Sequence, residues 1–215
     1  MKGGQRRILL YRAGALGDTL LALPALDALR QLSPGASLTL AGHPAYAAPL
    51  LDSGRVDAVL DADSPPFHLL YSVPQGGSSP DEMDLLFQRF SKIALFTHDQ
   101  EGAANKRLAS LDGRQWIVAG PLPPKGAAVH TAEWMKKALS PLGVQETEPS
   151  PTAFLCPSPE SNQKARALLH ARRLEDTRFL ALHPGSGGEA KCASPEALAG
   201  TARAYLDNTD ARLLL

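Results

Sequence analysis

The segment Arg12-Ala13-Gly14-Ala15-Leu16-Gly17-Asp18 carries the sharpest chemistry in the chain. It joins a short apolar run to a helical pattern, so it reads as a strand-to-helix turn. Gly14 and Gly17 allow the backbone to turn tightly and a ligand to approach it closely. The helix that follows aims free N–H groups and its positive dipole end at the same space, which suits a phosphate or an oxyanion. Asp18 has two readings. An aspartate at a helix start is commonly a cap that accepts backbone N–H bonds. At the C-terminal edge of a parallel sheet, where ligands of such folds bind, it is also placed to act as a general base, kept ionised by the helix N-terminus. The two roles are compatible. The Gly-x-x-Gly spacing matches neither the dinucleotide fingerprint nor a Walker A loop, which argues against dehydrogenase and P-loop kinase readings.

A second chemical segment is His183-Pro184-Gly185-Ser186-Gly187-Gly188, followed by Lys191. Three glycines and a serine after an apolar strand make a loop able to wrap a phosphate with backbone N–H groups. Lys191 could add charge to a diphosphate. A flexible turn beside a solvated lysine is the equal alternative, since Gly and Ser are the usual turn residues.

Other reactive side chains form no pattern. His43, His68, His98 and His170 make no spaced metal set, so no metal is expected. Cys156 and Cys192 form neither a metal spacing nor a disulfide framework, and a reducing compartment is the simpler reading. Trp116 and Trp134 read as packing residues. The 22 basic and 22 acidic residues cancel, leaving no basic footprint for nucleic acid. The N-terminus lacks an apolar signal region, and no apolar stretch approaches the roughly 20 residues of a membrane span. The expected location is the cytoplasm, with peripheral contact at the membrane left open.

These segments need a scaffold, and the chain supplies one. Short apolar runs alternate with helical patterns, the signature of βαβ units on a parallel sheet. Strands are expected at Arg7–Arg12, Ser37–Ala41, Asp57–Leu60, Lys92–Thr97 and Gln115–Ala119. A helix is expected over Asp18–Leu32, with a kink at Pro24 or a short first segment. Further helices are expected over Ala45–Leu51 and Thr131–Leu142, and a long loop over Asp63–Pro80. The proline-rich stretch Gln145–Pro159 reads as a linker between residues 1–150 and 151–215. A new cycle then runs through helix Ser161–Leu174, strand Arg178–Leu182, helix Pro195–Leu206 and strand Ala211–Leu215.

The runs ILLYRAGALGDTLLALPALDALRQLSPGASLTL and FLALHPGSGGEAK together resemble glycosyltransferase family 9, the ADP-heptose:lipopolysaccharide heptosyltransferases. Leu16-Gly17-Asp18, then Leu23-Pro24-Ala25-Leu26, the later His-Pro-Gly-Ser loop and His130 carry the likeness. The resemblance implies a GT-B type α/β fold: an N-terminal Rossmann-like domain on the acceptor side and the start of a second, nucleotide-sugar-binding one. It implies inverting, metal-independent transfer of heptose or a related sugar from an ADP-sugar to a lipid-linked core saccharide, with no cofactor. Asp18 would be the base, and Gly14, Ala15, Leu16 and Gly17 would face the acceptor. Ser186, Gly187 and Lys191 would contact the donor diphosphate. Two departures stand out: Lys191-Cys192-Ala193-Ser194-Pro195 lacks the family's tryptophan, and Phe90–His98 lacks its aspartates. Family chains run longer than 215 residues, so a C-terminally shortened form, inactive alone, is expected. The rival reading is a non-catalytic sugar- or nucleotide-binding fragment or a degenerate homologue. A nucleotide-sugar epimerase is disfavoured by the absent Gly-x-Gly-x-x-Gly.

Overall fold

Unbroken apolar runs suit strands buried on both faces, and the first apolar run of this chain becomes the centre of a sheet. The computed structural model describes residues 6–72, 79–99, 101–145, 155–185, 188 and 191–215. They fall into two compact units, Met1–Pro157 and Ser158–Leu215.

In the first unit, strands β1 (Arg7–Tyr11), β2 (Ser37–Gly42), β3 (Ala58–Asp61), β4 (Lys92–Phe96) and β5 (Gln115–Ala119) form one sheet in the order β3-β2-β1-β4-β5. All pairs are parallel; Leu9 stands opposite Thr39 on one side and Ile93 on the other. Successive side chains of a strand point to opposite faces. Ile8 and Leu10 therefore join Leu38, Leu40, Ala94 and Phe96 in one core layer. That layer packs on α2 (Leu23–Leu32), α3 (Pro44–Asp52) and α6 (Thr131–Ala138). Leu9 and Tyr11 face the other way, with Ile93 and Leu95, onto α4 (Glu82–Phe87) and α5 (Ala103–Ala109).

The chain leaves β1 towards β2 and β3, then crosses back to β4 on the other side of β1. Strand order thus reverses between β1 and β4. The carboxyl ends of these two strands flank the crevice where open α/β sheets bind ligands.

The helix expected over 18–32 is two helices. A short α1 (Leu16–Leu21) ends at Ala22, and α2 restarts with Pro24 in its first turn, where a missing N–H costs nothing. The helix expected to reach Leu142 stops at Ala138, and a 3-10 turn over Ser140–Leu142 accommodates Pro141. Gly143, at φ 98°, closes that turn in a conformation few other residues adopt. Helices α4 and α5 went unanticipated. Residues 73–78 of the expected long loop, and 146–154 of the proline-rich stretch, lie outside the described residues.

The second unit contains α7 (Pro159–Ala171), β6 (Phe179–Ala181), α8 (Pro195–Asp207) and β7 (Arg212–Leu214). Strands β6 and β7 pair in parallel, Leu180 opposite Leu213. Ser158 and Ser194 cap the two helices by accepting the Ser161 and Ala197 N–H groups.

Candidate active site

The carboxyl ends of β1, β4 and β5 meet around a pocket of about 350 Å³. Arg12 and Ala13 follow β1, Thr97 and His98 follow β4, and Pro121 and Leu122 follow β5. Asp18 and Tyr71 complete the lining, with Tyr11 and Phe96 beneath.

Asp18 is the third residue of α1, and the cap position belongs to Ala15. The expected cap role is therefore modified. Asp18 Oδ2 reaches back to accept the Ala15 N–H at 3.1 Å, the return half of a capping box. Alanine has no oxygen to supply the other half. Oδ1 accepts a hydrogen bond from Arg12 Nη2 at 2.6 Å. The Asp18 side chain remains 36% exposed, so a solute in the pocket can reach it.

Arg12 is 5% exposed overall. Its Nη1 donates to the Ala13 carbonyl at 3.1 Å, and its backbone N–H extends the sheet by bonding to Ala41 O at 2.9 Å. A buried guanidinium needs a partner charge, and Asp18 is that charge. Arg12 was missed as a site residue because it reads as the last residue of a strand. The available signal was a cation closing an apolar run just before a glycine turn.

Gly14 is explained by Asp18. A Cβ at this position would lie 2.8 Å from both Asp18 Cβ and Asp18 Oδ2, so only glycine leaves the carboxylate where it is. Gly17 differs from its expected role. It sits inside α1 rather than in the turn, with open space where a Cβ would go. Gly14, Ala15, Leu16 and Gly17 are all exposed.

Three hydroxyl-bearing side chains, Tyr11, Tyr71 and Thr97, also line the pocket. The Tyr71 hydroxyl is hydrogen-bonded to Thr97 Oγ1. Burial first, and then the neighbouring Tyr71, push the Tyr11 phenol well above its ordinary pKa, so it stays protonated. Tyr11 packs against Phe67 with ring centroids 5.5 Å apart. Elsewhere, His130 caps α6 by accepting the Ala132 N–H at Nδ1, and Trp134 donates to Gly120 O at 2.9 Å.

In the second unit, His183, Pro184 and Gly185 follow β6, as a strand-then-glycine-loop reading requires. Ser186 and Gly187 lie outside the described residues. Lys191 is exposed, and its N–H bonds to Gly188 O at 3.0 Å. Among the described residues, no three His, Cys, Asp or Glu side chains gather as a metal site, and no helix is long and apolar enough to cross a membrane.

No family model matches this chain, and no curated protein does either. Solved structures do. A glycosyl transferase family 9 protein from Veillonella parvula superposes with a TM-score of 0.70 at 17% identity, covering 99% of this chain and 63% of that one. The chain has the fold of these glycosyltransferases. E. coli ADP-heptose LPS heptosyltransferase II gives 0.65 at 17% identity, covering 97% and 63%. E. coli heptosyltransferase WaaC with ADP gives 0.56 at 15% identity, covering 96% and 66%. The chain thus spans about 63% of the length of the first two neighbours. The α/β parallel sheet expected from the βαβ pattern is found, and the fold matches the GT-B type that the family resemblance implied.

Proposed function

We propose that this protein is an inverting glycosyltransferase in which Asp18 is the general base. The observation that carries the reading is the Asp18 carboxylate, exposed in a pocket at the strand-order reversal and fixed there by Arg12 and the Ala15 N–H. A carboxylate offers about four lone-pair sites, so two remain for a substrate hydroxyl.

In the proposed reaction the acceptor hydroxyl donates its proton to Asp18 as its oxygen forms a bond to the anomeric carbon of the donor sugar. The bond between that carbon and the diphosphate oxygen breaks on the opposite face, and the nucleoside diphosphate leaves with the electron pair. One displacement inverts the anomeric centre. Negative charge develops on the leaving diphosphate, where backbone N–H groups and cations lower the barrier most. Lys191 and the loop bearing Ser186 and Gly187 are the groups proposed for that task. Gly14, Ala15, Leu16 and Gly17 are proposed to border the acceptor.

The finer proposal is transfer of heptose or a related sugar from an ADP-sugar to a lipid-linked lipopolysaccharide core, in the cytoplasm and at the membrane face. The likeness to an ADP-heptose LPS heptosyltransferase and to a heptosyltransferase with ADP supports that choice of donor. Because these 215 residues span about 63% of the neighbours' length, the test incubates a full-length protein with ADP-heptose and a core oligosaccharide, with ADP release and product mass as readouts. ADP and a product one heptose heavier are expected; an unchanged acceptor across ADP-, GDP- and UDP-sugars would sink the proposal.

A further inference from the structure

Tyr71 is 48% exposed, yet both its turn and its hydroxyl are hydrogen-bonded to the rest of the unit. The carbonyls on either side of it, Leu69 O and Ser72 O, both accept hydrogen bonds from Arg107 Nη2 at 3.1 Å. Arg107 is wholly buried, and its Nη1 donates to Asp81 at 2.7 Å and Asp84 at 2.6 Å. The Ser72 N–H returns to Leu69 O at 3.0 Å and closes the turn. At the tip of the side chain, the hydroxyl bonds to Thr97. The core gains little from a half-exposed ring, but the pocket it lines contains Asp18 and is rimmed by Pro121 and by Leu122, itself 56% exposed.

We infer that Tyr71 is the stacking platform for the acceptor sugar, the surface on which a pyranose ring lies while one of its hydroxyls meets Asp18. The inference rests on the glycosyltransferase reading of the same pocket. An aromatic face is electron-rich, and the C–H bonds on the less hydroxylated face of a sugar carry partial positive charge. A ring already immobilised at its backbone and its tip spends no further conformational entropy on binding, which strengthens a weak contact. Asp18 beside it accepts hydrogen bonds only, so it selects a hydroxyl-bearing partner. The phenol's own hydroxyl is engaged with Thr97, which leaves the ring as the binding element.

The test compares wild type with Tyr71→Phe, Tyr71→Trp and Tyr71→Ala. Saturation-transfer NMR with methyl α-D-mannopyranoside and with a lipopolysaccharide core oligosaccharide reads sugar binding directly. The acceptor KM and kcat are measured alongside, with ADP affinity and thermal midpoint as controls. Tyr71→Ala is expected to lose the sugar signal and to raise acceptor KM on the order of 10–100-fold, the range known for bases stacked on aromatics. kcat at saturation and ADP affinity should stay within about threefold, since the inference concerns acceptor binding alone. Phe and Trp should retain binding. Wild-type sugar signal in Tyr71→Ala, or its loss in both Phe and Trp, overturns the platform. So does a wild-type protein that binds ADP at this pocket but no saccharide. If Asp18→Asn abolishes transfer while Tyr71→Ala changes nothing, this inference fails and the glycosyltransferase reading stands. If neither sugar binding nor any transfer occurs in wild type, both fall.

Discussion

Arg107→Met should destabilise the first unit by about 3–5 kcal/mol, the range for removing one partner of a buried ion pair. The guanidinium is completely buried, whereas the Asp84 side chain is 12% and the Asp81 side chain 35% exposed. Methionine fills much of the same volume but cannot donate. Asp84 is then left almost buried without its cation, and the Leu69 and Ser72 carbonyls lose the donor that ties the Tyr71 turn to α5. Domains of this size are stable by about 5–15 kcal/mol, so the loss is a large share of the total. Urea unfolding followed by tryptophan fluorescence reads the first unit alone, since Trp116 and Trp134 both lie in it. With a slope of about 2 kcal/mol per molar urea, the midpoint should fall by roughly 2 M. Adding Asp84→Leu to Arg107→Met should recover part of the loss, because the stranded charge goes with it. A midpoint shift equivalent to less than about 1 kcal/mol would refute the reasoning and reduce the cluster to solvated surface charges.

Acid should unfold the first unit by a predictable route. In Asp57, Asp81 and Asp99 burial raises the pKa, but hydrogen bonds from backbone N–H groups, joined by Arg30 at Asp57, Arg107 at Asp81 and Asn105 at Asp99, outweigh it, so each is held below its ordinary value. A depressed folded pKa stabilises above the unfolded value near 3.9 and is lost as pH falls through the folded value. The thermal midpoint should therefore be flat from about pH 8 to 5 and drop below about pH 4; a midpoint unchanged down to pH 3 would contradict this. Gly14→Ala should lower turnover on the order of 10–100-fold and also lower the thermal midpoint, because its Cβ displaces the Asp18 carboxylate from the buried Arg12. Gly17→Ala meets no atom within 4 Å and should stabilise α1 by about 0.5 kcal/mol, seen as a raised thermal midpoint. Reversed effects for the two glycines would show that the turn is misread.

The parallel sheet was legible because its central strands bury both faces and so appear as unbroken apolar runs. Arg7–Tyr11, Lys92–Phe96 and Gln115–Ala119 fall within a residue of expectation. Helices α4 and α5, of six and seven residues, are too short to develop a helical period. They form because Asp81 caps α4 and the Asp99 carboxylate accepts the Ala104 and Asn105 N–H groups in the first turn of α5, and because Met83, Phe87 and Leu108 complete the second core layer. Asp18 was legible as the polar residue ending a glycine turn after a strand. Its partner Arg12 was not, since a strand-end arginine reads as solvated until its burial is known. Tyr71 was hidden in a loop rich in proline, glycine and serine. Its fixed position depends on Arg107, 35 residues beyond Ser72, and no local pattern encodes a contact of that range.

Asp18→Asn gives the most direct test of whether this pocket is catalytic. The substitution keeps the size of the side chain and an oxygen able to accept the Ala15 N–H, but removes the base. Transfer from ADP-heptose to a core oligosaccharide is followed by ADP release, with thermal midpoint and ADP affinity measured on the same preparations. Turnover should fall by roughly 10²–10⁴ while nucleotide affinity stays near wild type, and the midpoint should drop, with the protein still folded at the assay temperature, because the buried Arg12 loses its partner charge. Turnover unchanged in a folded, nucleotide-binding Asp18→Asn protein would contradict the assignment and leave Asp18 as the capping partner of Ala15 and Arg12.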